Sequence, residues 1–163
     1  MPAEFSCESD LIATLRTLLA AHRFGVVEAV PTLNRCIDLV AWRMPSCSPW
    51  AFECKLRDWQ RGIIQAERYL RGAPYAWVCL PSRNWPGRLQ IEARNRGVGV
   101  LLCDTGCLAV LVRPRKSQML WGPAEEWLTR AIDRRLSAMP SAMALQPMPP
   151  FLETTEPTLT NWS

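Results

Sequence analysis

The chain has 163 residues, 48% of them hydrophobic, and a formal net charge of +4, which predicts one domain with one core. No apolar run approaches the ~18 residues a membrane helix needs, and the acidic N-terminus (Glu4, Glu8, Asp10) lacks the basic-then-apolar pattern of a secretory leader. The single histidine, His22, argues against histidine-based triads and Cys/His zinc sites, while seven cysteines, odd in number and without C-x-x-C, argue for a reducing, cytoplasmic setting.

Leu11, Ile12, Leu15, Leu18 and Leu19 recur with helical period and predict a helix over residues 9–22, with His22 near its C-terminal end. Residues 24–30 read as a strand, 31–34 as a turn, 35–42 as a second strand, 45–49 as a loop and 50–56 as a third strand. Such short connections favour an antiparallel meander. Asp58 is placed to cap a helix from Trp59 to about Arg71, which Gly72-Ala73-Pro74 ends. Residues 75–80 are apolar almost throughout, as a buried parallel strand should be, and a right-handed helical crossover would reach them. Asn84-Trp85-Pro86 opens a third helix that Gly97 stops. Residues 98–103 and 108–112 form strands joined by a turn at Asp104-Thr105-Gly106. Gly122-Pro123 starts a last helix, with Glu125 and Glu126 in its first turn. Residues 139–163 are rich in Pro and Met and lose periodicity, predicting a disordered tail after a folded unit at 1–138. The order α-β-β-β-α-β-α-β-β-α predicts an α/β fold, a mixed central sheet flanked by helices on both faces.

Charges inside these strands carry the chemistry. Asp38 interrupts Ile37-Asp38-Leu39-Val40, and Glu53 and Lys55 interrupt Trp50–Leu56. Two residues apart on a strand, Glu53 and Lys55 point to one face. The chain has 17 Arg and only two Lys, Lys55 and Lys116. Lysine is a compact charge that can lose its proton when desolvated; arginine is not. Asp38, Glu53 and Lys55 on adjacent strands would make a site for a hard divalent cation and an activated water. The plainer alternative is an exposed Glu–Lys pair on an edge strand. Gln65 and Tyr69 lie one turn apart on the next helix, after Arg61. They read either as neighbours of the site, contacting phosphate or metal-bound water, or as a solvated face, with Ile63, Ile64, Ala66 and Leu70 on the buried side. Glu8 reads equally as a third ligand and as an acid favoured by a helix N-terminus. Glu28, a rival third ligand, is better read as an exposed edge-strand residue. Arg35, Arg43, Arg57, Arg61, Arg68 and Arg71 could track a phosphate backbone. Trp59 and Trp85 could stack on bases, although core packing suits most of the eight tryptophans better.

These residues resemble the PD-(D/E)XK nuclease superfamily, the restriction-endonuclease-like fold. Asp38 matches the first acid, Glu53 the second, Lys55 the lysine, and Gln65-Ala66-Glu67-Arg68-Tyr69 the Q-x-x-x-Y element. The resemblance covers roughly residues 5–113 and includes the αβββαβ order of the family core. The spacing of Glu8, Asp38, Glu53 and Lys55 is similar to that of archaeal Holliday-junction resolvases and virus-type repair nucleases. Ile37 stands where the family often has proline. The resemblance implies a metal-dependent endonuclease hydrolysing phosphodiester bonds in DNA. It also implies Mg²⁺ as cofactor, with Mn²⁺ as a substitute, held by Asp38, Glu53, the backbone carbonyl of Cys54 and Glu8. Lys55 would orient the attacking water or steady the pentavalent phosphate. DNA is the implied partner, and a homodimer is compatible with the pattern. The alternatives are a structure-specific resolvase of branched DNA and a catalytically silent nucleic-acid-binding module of the same fold.

Overall fold

A computed structural model describes residues 5–32, 35–43 and 48–138. The tail expected at 139–163, half of the turn at 31–34 and most of the loop at 45–49 lie outside the described residues. The elements, in chain order, are α1 (Glu8–Ala21), β1 (Gly25–Pro31), β2 (Cys36–Trp42), β3 (Trp50–Cys54) and α2 (Trp59–Tyr69). They continue with β4 (Tyr75–Pro81), α3 (Arg88–Arg96), β5 (Gly99–Cys103), β6 (Leu108–Val112) and α4 (Gly122–Ala138). This is the predicted order, with boundaries moved by one or two residues at most ends and β3 ending before Lys55.

The six strands form one mixed sheet in the order β1-β2-β3-β4-β5-β6. The short connections behave as expected. β1, β2 and β3 are antiparallel neighbours, and β5 and β6 form an antiparallel pair. The helical crossovers α2 and α3 make β3, β4 and β5 parallel. Asp58 caps α2 by accepting the Arg61 amide at 3.1 Å, which satisfies one of the donors a helix start leaves over. Gly97 ends α3 at φ +72, a left-handed position that glycine adopts without strain.

Period-two alternation sends each strand's side chains to two cores. On one face, Leu11, Leu15 and Leu19 of α1 pack on Leu39, Phe52, Trp77 and Leu101. Each buried leucine of α1 stabilises the fold by about 1.5–3 kcal/mol. On the other face α2, α3 and α4 cover Val40, Ala51, Val78 and Val100. Glu53 lies on this second face, between Ala51 and the end of β3. Among the described residues, no helix is long and apolar enough to cross a membrane.

Candidate active site

β2 and β3 are interior strands paired as Leu39↔Phe52, Val40↔Ala51 and Ala41↔Trp50. Asp38 and Glu53 each lie one residue beyond the Leu39↔Phe52 pair, and the charge of Glu53 helps to raise the Asp38 pKa. The peptide of the next residue closes the pair: the Cys54 N–H donates to Asp38 Oδ2 at 2.8 Å. The Cys54 thiol is buried on the opposite face, in the α1-side core with Cys79 and Cys103.

Among the described residues, Glu53 is the only buried charged side chain, at 2% exposure. Such burial is tolerable only with partners, and each carboxylate oxygen has one. Oε1 is 2.7 Å from Lys55 Nζ. Oε2 accepts a hydrogen bond from the Tyr69 hydroxyl, which also lies 3.3 Å from the Cys36 carbonyl. Burial, then the charge of Glu53, pushes the Tyr69 hydroxyl's pKa far upward, so it stays a proton donor.

Lys55 follows β3 directly, its amide donating to the Cys79 carbonyl at 3.0 Å. Its stem runs beneath α2 at Gly62, where a β carbon would come within 3.0 Å of Lys55 Cγ and 3.1 Å of Val78 Cγ1. Burial works to lower the ammonium's pKa, but the hydrogen bond to Glu53 and its charge, with help from Glu8 and Asp38, outweigh it. The net shift is upward, and Lys55 is held as a cation. Glu8, the first residue of α1, reaches the same ammonium at 3.5 Å with a half-exposed side chain. Burial lifts the Asp38 carboxyl to about 6; the charge of Glu53 adds to this, and the Cys54 N–H opposes it.

The structure therefore gathers Asp38, Glu53, Lys55, Tyr69 and Glu8. Gln65 sits on α2 between the position that touches Lys55, Gly62, and the one that touches Glu53, Tyr69. Its side-chain oxygen is buried without a hydrogen-bond partner among the described residues. Arg61 is exposed, one turn before Gln65 on α2. The buried stripe of α2 runs through Trp59, Gly62, Ile63, Ala66 and Tyr69. Ile64, expected inside, is 42% exposed. Glu28 pairs with Arg16 at 3.3 Å and stands opposite Leu39, away from Asp38's face. Trp59 is buried and Trp85 is half-buried, its indole bonded to the Pro81 carbonyl, so neither offers an open stacking face. Sequence reasoning missed Gly62; its signal was a glycine inside a helix, which costs about 1 kcal/mol and calls for a packing reason.

The carboxylates gathered here are those of Asp38, of Glu53 with both oxygens bonded to Lys55 and Tyr69, and of the half-exposed Glu8. Among the described residues, no three His, Cys, Asp or Glu side chains converge as a ligand group. The chemistry of the pair fits a hard cation nonetheless. A carboxylate kept protonated to about pH 6 by burial and a like charge gains most when a cation takes the proton's place.

No family model and no curated protein matches the chain. Among solved structures, it is similar to a protein of unknown function from Silicibacter pomeroyi, with 22% identity and a TM-score of 0.59. The match covers 83% of this chain and 92% of that one and is a likeness of fold.

Proposed function

We propose that the protein is a metal-dependent nuclease that hydrolyses phosphodiester bonds in DNA. The observation that carries this reading is the buried Glu53, on the interior strand next to that of Asp38 and ion-paired with Lys55. The element order α1-β1-β2-β3-α2-β4 is the order that the family resemblance implies, and it supports the same reading. Six free thiols among the described cysteines suit a reducing, cytoplasmic setting.

A hard divalent cation at Asp38 and Glu53 would supply Lewis acidity and an activated water near neutral pH. The chain's own residues divide the remaining work. Asp38 and Glu53 hold negative charge where a cation is needed. Lys55, kept charged, places an ammonium against developing phosphate charge. Tyr69 fixes the rotamer of Glu53, and Gly62 lets α2 lie close enough for Tyr69 to do so.

One observation favours the silent binding module instead: both Glu53 oxygens are already engaged, by Lys55 and by Tyr69. Purified protein incubated with linear, single-stranded and four-way-junction DNA separates the readings. Nuclease action requires products with Mg²⁺ or Mn²⁺ and none in EDTA. Binding without products in any metal would establish the silent module, and cutting confined to the junction would establish a resolvase.

A further inference from the structure

Beside the candidate site, the fold opens a cleft of about 280 Å³ between the start of β2, the end of α2 and the first turn of α4. Tyr69 lines it while its hydroxyl bonds to Glu53, so the cleft begins one side chain from the acids. Arg35, Arg68 and Arg71 line its walls with Trp121 and Trp127. A second hollow of about 230 Å³ continues from Trp127 along α4, past Arg130, Arg134 and Arg135. No acidic residue lines either.

The charges are open to solvent. Arg35, Arg68, Arg71 and Arg134 are exposed and make no ion pair among the described residues. Arg130 shares its charge with Glu126 at 3.5 Å, and Arg135 donates to the Ala29 carbonyl at 2.7 Å. Trp121 is 53% exposed and Trp127 39% exposed, which is costly for large apolar rings unless something covers them. Arginines with interleaved open indoles form the pattern that binds unpaired nucleotides, phosphates on the cations and bases on the rings. A base inside a duplex has no free face to stack, and a hollow of this size admits one nucleotide and not a double helix.

We propose that this arginine- and tryptophan-lined cleft is the track for a single-stranded stretch of DNA leading to the candidate site. The preferred substrate is then DNA with an unpaired segment beside the cut. That substrate assignment rests on the nuclease reading; the binding itself does not.

The test is fluorescence anisotropy of labelled single-stranded and duplex oligonucleotides with the full chain in EDTA, where no cutting occurs. Wild type should bind the single strand more tightly. Trp121→Ala and Trp127→Ala should each weaken single-strand binding by at least ~5-fold and leave duplex binding nearly unchanged. Trp127 also bonds the Pro31 carbonyl at 3.3 Å, so Arg68→Gln/Arg71→Gln provides a second, surface-only variant. It should flatten the slope of log affinity against log salt by about 1.4 for the single strand. Equal affinity for the two DNA forms, or variants that hold the single strand like wild type, would overturn the proposal. A parallel cleavage assay with Mg²⁺ keeps the two ideas apart. Single-strand binding lost in the variants with no cleavage anywhere sinks the nuclease and leaves the cleft. Cleavage that needs Asp38, with the variants' binding unchanged, does the reverse.

Discussion

The hydroxyl of Tyr69 donates to Oε2 of Glu53, tying the last turn of α2 to the buried acid at the end of β3. The bond leaves that carboxylate no unpartnered oxygen, since Lys55 takes the other. Tyr69→Phe keeps the ring and removes the donor. It should destabilise the fold by about 1–3 kcal/mol, the usual cost of orphaning a buried polar partner. Urea unfolding at pH 7 in EDTA measures this; a midpoint equal to wild type would mean that the bond has no energetic weight.

Asp38→Ala and Glu53→Ala should each abolish cutting while DNA binding survives or strengthens, because a carboxylate that repels phosphate is gone. Nicking and anisotropy on the same preparations check both halves. Cutting at the wild-type rate by either variant places the chemistry elsewhere.

Lys55→Arg should lose at least ~100-fold in rate, as for misplacing one preorganised donor to developing charge. The structure adds a steric reason. The lysine stem lies under Gly62 with only 13% of its side chain exposed, leaving little room for a longer, planar guanidinium. Lys116→Arg is the control and should be near neutral. Similar mild effects at both positions would mean that only charge is required at Lys55.

Asp38 sets a pH dependence in the metal-free protein. Its carboxyl is lifted from 3.8 to about 6, so between these values the folded chain holds a proton that the unfolded chain releases. Stability from this group is complete below about pH 4 and falls as pH rises through 6. Asp38→Asn lacks this loss. In EDTA the variant should match wild type near pH 4 and exceed it at pH 7.5. Added Mg²⁺ at pH 7.5 should stabilise wild type and not the variant. A constant difference across pH would assign the shift to some other group.

Much of this is legible in the sequence alone. Apolar periodicity placed the elements in order, Asp58 and Gly97 marked helix ends, and the charges at 38, 53 and 55 fell where the strands bring them together. What failed was set by tertiary packing. Hydropathy favours Ile64 over Gly62 for the buried side of α2, yet the close approach to Lys55 and Val78 rotates the helix so that the glycine faces inward. Tyr69 reads as a neighbour of the site, and its hydroxyl is bonded to Glu53 there. The open tryptophans are Trp121 and Trp127, not Trp59 or Trp85, because no local pattern tells which edge of a sheet a last helix will return to.

That return has a temporal meaning. The strands lie side by side in the order in which the chain presents them, so each can dock on its predecessor as it appears, with little loop entropy to overcome. α4 alone turns back from the far edge to lie on β1, its side chains bonding the carbonyls of Ala29 and Pro31. The acids and Lys55 are held by β2, β3 and α2, but the cleft exists only after α4 has docked. The candidate site and the arginine- and tryptophan-lined cleft are thus completed at different moments in the life of a growing chain.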